Sequence, residues 1–216
     1  MSRESLRRKR ERVAEIIRRL HGEYPDARCS LDHEGAFQLL AATILSAQCT
    51  DERVNEVTPR LFERWPDAGQ LAGARSEEVE DVIRPTGFFR NKTKSLLGMA
   101  NAVVDRHAGE VPEDMGALTG LPGVGRKTAN VVMGNAFGVA AGVVVDTHVK
   151  RLSGLLGLTR EIAPERIEAD LARIVPRYEW IDLPHLFIYH GREVCVARRP
   201  RCEACVLADL CPSSRV

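Results

Sequence analysis

Apolar positions recur at helical spacing along most of the chain. Val13, Ile16, Ile17 and Leu20 make one stripe of a basic amphipathic segment that starts at Ser5 and ends within Gly22 to Asp26. Phe37, Leu40, Ala41, Ile44 and Leu45 make a second stripe, which begins near Glu34 and runs out at Ser46-Ala47-Gln48-Cys49. Thr50 or Asp51 then caps a helix with Val54, Val57 and Leu61 inside, a kink at Pro59 and an end at Trp65-Pro66. Ser76 is placed to cap a short helix carrying Val79, Val82 and Ile83, and Pro85-Thr86-Gly87 stops it. Phe88 to Asn91 read as a loop, followed by a helix from Lys92 to His107 cored by Leu96, Leu97, Ala100, Val103 and Val104. Pro112 to Leu118 supply a short helix. Pro164 opens another, with Ile167, Leu171, Ile174 and Val175 buried, and Leu183, Leu186, Phe187 and His190 lead into a run of cysteines. Alternating β-branched runs are scarce and aromatics make up 5% of residues, so the pattern predicts an all-α protein.

One stretch departs from plain helical patterning. Leu121-Pro122-Gly123-Val124-Gly125-Arg126-Lys127-Thr128-Ala129-Asn130 reads as a tight turn opening a helix. Pro122 fixes its own backbone, while Gly123 and Gly125 are free to take positive φ, so successive amides can point outward as an anion-binding nest. The helix from about Arg126 adds its positive dipole end at the same place. Ala129, Val132, Met133 and Ala136 form its core face, and Lys127 is off that face. Gly138 ends the helix, Val143 to Val145 form a short apolar run, and Asp146 is placed as N-cap of a helix carrying Val149, Leu152, Leu155 and Leu156.

These 216 residues, 44% of them hydrophobic, suffice for one large or two small domains. No apolar run approaches the roughly 20 residues of a membrane span and the start is charged, which points to a cytoplasmic protein. A net charge of +1 says little about partners; its distribution says more. Arg3, Arg7, Arg8, Lys9, Arg10, Arg12, Arg18 and Arg19 crowd one end, and Arg192, Arg198, Arg199 and Arg201 the other. If the ends meet they form a positive face able to follow a DNA backbone; the competing reading is a solvated helix surface. Four of the six cysteines, Cys195, Cys202, Cys205 and Cys211, fall in the last 22 residues, a clustering that favours metal ligation over disulfides. Four thiolates hold either zinc or an iron-sulfur cluster, and spacing alone leaves both open. Cys29 and Cys49 are left over.

The string L-P-G-V-G-R-K-T-A-N followed by V-D-T-H resembles the helix-hairpin-helix and catalytic aspartate of the endonuclease III family of DNA glycosylases. The 6, 2, 5 cysteine spacing resembles that family's iron-sulfur loop. The resemblance implies an all-α, two-domain helix-hairpin-helix glycosylase fold with a C-terminal 4Fe-4S loop. It puts a six-helix barrel at 29–139 and a discontinuous cluster domain at 1–28 and 140–216. It implies a bifunctional enzyme of base excision repair that excises oxidised pyrimidines of the thymine glycol type. Lys127 would be the nucleophile forming a Schiff base and Asp146 its assistant, with β-elimination at the abasic site.

Phosphate and duplex contacts fall by the same resemblance on Leu121, Gly123, Val124, Gly125, Arg126, Thr128 and His148. Gln48 and Phe88 would fill and wedge the gap left by a flipped nucleotide. Here Phe88 departs from the family's usual leucine and Cys49 from its common alanine. His148 would orient Asp146 or simply pack. The cofactor implied is a 4Fe-4S cluster on the four cysteines, aiming Arg198, Arg199 and Arg201 at phosphate. The partner implied is duplex DNA with damaged pyrimidines or abasic sites, bound by a monomer in the cytoplasm and nucleoid. The alternatives are a monofunctional glycosylase of the same superfamily, against which Lys127 argues, or a noncatalytic DNA-binding module with a zinc loop.

Overall fold

The computed structural model describes residues 4–216, so Arg3 of the basic run lies outside the described residues. Among those residues all regular structure is helical, and no helix is long and apolar enough to cross a membrane. The chain divides into two compact units, one of residues 29–141 and one of residues 1–28 with 142–216.

In the second of these units, α1 (Leu6–Glu23) starts where the Ser5 hydroxyl accepts from the Arg8 amide, and it buries Val13, Ile16, Ile17 and Leu20. Its partners come from far along the sequence: α10 (Pro164–Ile174) and α11 (Asp182–Glu193), while α9 (Thr147–Leu155) packs on both of those. Phe187, Leu183, Leu186 and Ile167 complete that core. Part of the basic face of α1 is committed to this unit. Arg12 donates to the carbonyls of Leu156 and Leu210 at 2.7 and 3.3 Å and pairs with Glu4 at 2.8 Å. Arg19 reaches Asp209 at 2.6 Å and the Val206 carbonyl at 2.8 Å, and Arg10 caps the Arg173 carbonyl at 2.9 Å. Arg12, Arg19 and Arg10 thus hold helix ends and the C-terminal loop, while Arg7, Arg8 and Arg18 remain exposed.

The 29–141 unit contains α2 (Gly35–Leu45), α3 (Asp51–Arg64), α4 (Ala68–Ala72), α5 (Ser76–Ile83), α6 (Phe89–His107), α7 (Met115–Thr119) and α8 (Arg126–Phe137). Leu39, Leu40, Leu45, Leu61, Leu71, Leu96, Met99 and Val132 fill its core. Thr50, Asp67 and Asp114 each accept an amide hydrogen bond from the first turn they cap. Three local readings change. The short α4 was hidden from periodicity because five residues carry only Ala68 and Leu71 as inward positions. Ser76 lies inside α5, whose cap position is Arg75 and has no side-chain bond. Phe89, Arg90 and Asn91 are the first turn of α6, not loop: Phe88 takes a left-handed conformation as its cap, and its carbonyl accepts from the Lys92 amide at 3.1 Å.

Candidate active site and cysteine loop

The hairpin between α7 and α8 is built by close packing against α6. Gly123 has φ +77°, and a Cβ there would meet the Ser95 Cβ at 2.6 Å, so glycine is required by conformation and by space. Gly125 does not share this: at φ −91° and ψ 174° it is extended and serves as N-cap of α8. Leu121 and Val124 are 3% and 6% exposed. Their amides are used within the turn, on the Leu118 and Leu121 carbonyls at 3.1 Å each. Both residues therefore anchor the hairpin, and their side chains are not available to a ligand. What the turn leaves outward is the exposed Gly123 and Gly125 backbone and the first amides of α8, which have no helical acceptor. Arg126 and Lys127 are exposed and Thr128 half-buried beside them.

In the other unit, Asp146 is the N-cap of α9, with Oδ1 accepting from the Val149 amide at 2.7 Å. His148 follows on the same turn. Its Nδ1 lies 3.1 Å from an Arg151 guanidinium nitrogen, which can only donate, so the neutral ring carries its proton on Nε2. Arg151 also donates to the carbonyls of Gly191 and Cys195. Gly191 admits this arrangement because a Cβ there would stand 2.6 Å from His148 Nδ1. His185 on α11 faces Asp182 and Asp146; burial pushes its imidazole below the usual range, with both carboxylates pulling the other way.

Gln48 and Phe88 share a feature no periodicity shows. Three non-glycine residues have positive φ among the described residues; two are Gln48 at +52° and Phe88 at +47°, and the third, Ala108, ends a helix. Strained backbone of this kind is retained where a tip must be held in one orientation. Phe88 is 64% exposed, whereas Phe89 packs partly into the core under the Arg84 guanidinium. Behind the tip, Lys92 is 4% exposed and donates to the Thr86 carbonyl at 2.8 Å. Burial pushes its amine down, with Cys49 acting in the opposite direction. The clue to Lys92 was its place on the Leu96, Ala100 and Val103 face of α6, a lysine in an apolar stripe. Cys29 is a partly buried thiol pushed up by burial, as suits an unreactive residue.

The four C-terminal cysteines are unpaired thiols that line a single cavity of about 100 Å³ with Leu155, Val194 and Leu207. Four thiols on one cavity are a soft donor set of the kind that holds an iron-sulfur cluster. Donors converge on one of them: the Leu207 amide and His190 Nε2 both lie 3.4 Å from Cys205 Sγ, an arrangement suited to a thiolate ligand. The residues present therefore fit a polynuclear cluster.

Residues 41–177 match the model of the HhH-GPD superfamily base excision DNA repair protein, and residues 195–211 match the iron-sulfur binding domain of endonuclease III. The chain is 56% identical to endonuclease III of Synechocystis sp. over 207 residues, 96% of this chain and 94% of the relative. The chain belongs to the endonuclease III family. Identity to the Escherichia coli endonuclease III is 38% over 197 residues, 91% of this chain and 93% of that one. A solved structure of a trapped endonuclease III–DNA covalent intermediate superposes with a TM-score of 0.89 at 41% identity, covering 94% of this chain and 96% of that one. A thermostable thymine-DNA glycosylase, at 22% identity and TM-score 0.81, shares the fold. The cofactor is a 4Fe-4S cluster, and the matched iron-sulfur segment, residues 195–211, contains Cys195, Cys202, Cys205 and Cys211. When bound, it ties the C-terminal loop into one folded unit.

Proposed function

We propose that the chain, a DNA glycosylase with abasic-site lyase activity in base excision repair, removes oxidised pyrimidines of the thymine glycol type from duplex DNA. Lys127 is assigned as nucleophile and Asp146 as the carboxylate that assists it. Neutral Lys127 Nζ attacks C1′; the glycosidic bond breaks, its electron pair leaves with the base, and the base is protonated. Opening of the sugar ring gives an imine. The imine acidifies the 2′ proton, whose removal expels the 3′ phosphate, and water then releases the amine. Asp146 stabilises positive charge at C1′ while the base departs. The hairpin amides hold phosphate, Arg126, Thr128 and His148 support that grip, and Gln48 and Phe88 occupy the stack vacated by the flipped nucleotide. The protein acts as a monomer, in the cytoplasm and on the nucleoid.

The exposed amine of Lys127, in the first turn of α8 behind an outward hairpin, is the observation that supports this reading most directly. Borohydride trapping on a duplex with one thymine glycol tests it. The wild type should give a covalent complex, and Lys127→Gln should bind the duplex without forming one. An adduct from Lys127→Gln equal to that of the wild type would overturn the assignment.

A further inference from the structure

His190 sits at the last turn of α11, 2% exposed, between the N-terminal helix and the cysteine loop. Its backbone carbonyl accepts the amides of Val194 and Cys195 at 3.0 and 2.8 Å, so it already starts the loop. Its ring makes two further contacts. Nδ1 lies 3.2 Å from the hydroxyl of Tyr24, the C-cap residue of α1, and Nε2 lies 3.4 Å from Cys205 Sγ. Tyr24 also packs edge-on against the imidazole, with ring centroids 6.0 Å apart. A thiolate ligand has no proton to give, so Nε2 must supply the hydrogen in the contact with Cys205. A neutral ring protonated on Nε2 then leaves Nδ1 as an acceptor, and the Tyr24 O–H is its donor.

We propose that Tyr24 and His190 form a positioning relay to the iron-sulfur cluster, in which Tyr24 fixes the His190 tautomer and His190 donates a hydrogen bond to the Cys205 ligand sulfur. With the Leu207 amide at 3.4 Å, Cys205 then receives two N–H donors. The Cys211 thiol by contrast faces the Leu155 carbonyl, at 3.6 Å. The relay makes the four ligands inequivalent. Donors to a ligand sulfur stabilise the more negatively charged, reduced state of a cluster and withdraw electron density from its iron–sulfur bond. The relay also ties loop integrity to α1, a helix more than 160 residues away in sequence.

The test uses purified, cluster-loaded protein and two substitutions of similar bulk. His190→Met removes both ring nitrogens, and His190→Gln keeps an N–H able to face Cys205. His190→Met should shift the cluster potential in the negative direction, raise the Fe–Cys stretching frequency in resonance Raman spectra, and speed iron release to a chelator on the order of ten-fold. His190→Gln should recover most of all three. Tyr24→Phe keeps the packed ring and removes only the hydroxyl, so it should move potential and stretch the same way by less. It also decides the matter should the His190 variants fail to load. Potentials and stretches that stay at wild-type values in loaded Tyr24→Phe and His190→Met, or equal shifts in Met and Gln, would overturn the relay.

Discussion

In the proposed reaction Asp146 does two things with one carboxylate. Oδ1 is engaged in the cap of α9, so the second oxygen and the charge are what remain for the sugar. Asn at this position keeps a capping oxygen and loses the charge. Asp146→Asn should therefore fold, checked by circular dichroism, yet lose excision by about 10²-fold or more, typical of removing one preorganised electrostatic group. Lyase activity on preformed abasic DNA should fall distinctly less, because the aldehyde there accepts an amine unaided. Single-turnover assays on matched duplexes would separate the two, and equal losses would assign Asp146 to a step common to both. The neighbouring His185 carries a different prediction. Its native pKa lies below the usual value of about 6.5, so between those two values the unfolded chain binds more protons than the folded one. The stability this group contributes is complete above about pH 6.5 and is lost as pH falls towards the native pKa. His190, pushed down to about 4 first by burial and then by Arg151, adds a slope of the same sign in wild type and variant alike. The urea midpoint of His185→Gln should fall less steeply below pH 6.5 than that of the wild type, and parallel slopes would rule out His185 as a contributor.

At the scale of elements, the hairpin depends on how closely α6 lets it approach. An alanine at 123 meets two obstacles, the φ of +77° and the Ser95 Cβ at 2.6 Å. Gly123→Ala should cost at least ~1 kcal/mol in urea unfolding and weaken lesion-duplex binding, because the outward amides lose their setting. Adding Ser95→Gly removes one obstacle only, so a double-mutant cycle should show favourable coupling while the backbone strain persists. Purely additive losses would mean that Ser95 yields freely and that φ alone matters. The same elements explain what sequence patterning could and could not reveal. Ser5, Thr50 and Asp146 announced helix starts because a cap bond is made within three residues of itself. The start of α6 was invisible because Phe88 caps it by a left-handed backbone with no side-chain bond. Of the two glycines free to turn left only Gly123 does so, because freedom at Gly125 is not an obligation. Lys92 left a local trace, a lysine in an apolar stripe, whereas the Tyr24–His190 pair could not be found by local rules, since its two members lie on different elements 166 residues apart.

On the scale of the molecule, charge counted along the sequence and charge available to DNA are different quantities. The N-terminal run looked like a phosphate-binding stripe, yet Arg12 and Arg19 are tied to carboxylates and loop carbonyls, and Lys9 and Arg10 to the carbonyls of Leu158 and Arg173. A guanidinium already bonded to an internal carboxylate brings no condensed counterion off DNA unless that bond is broken. Arg198 and Arg199 stand exposed on the cysteine loop and are better placed to displace counterions. Each phosphate contact lowers log K by about 0.9 per decade of salt. In a Lys127→Gln background, which under the proposed mechanism prevents cleavage, Arg198→Gln with Arg199→Gln should make the salt slope of lesion-duplex binding shallower by about 1 per residue. Arg12→Gln should leave that slope alone and instead lower the unfolding free energy by ~1–3 kcal/mol, because it strips the Leu156 and Leu210 carbonyls and Glu4 of their donor. Anisotropy titrations from about 50 to 200 mM salt read the first effect and urea unfolding the second. A slope reduced by Arg12→Gln and untouched in the loop variant would reverse the assignment, returning the basic N-terminal helix to the DNA.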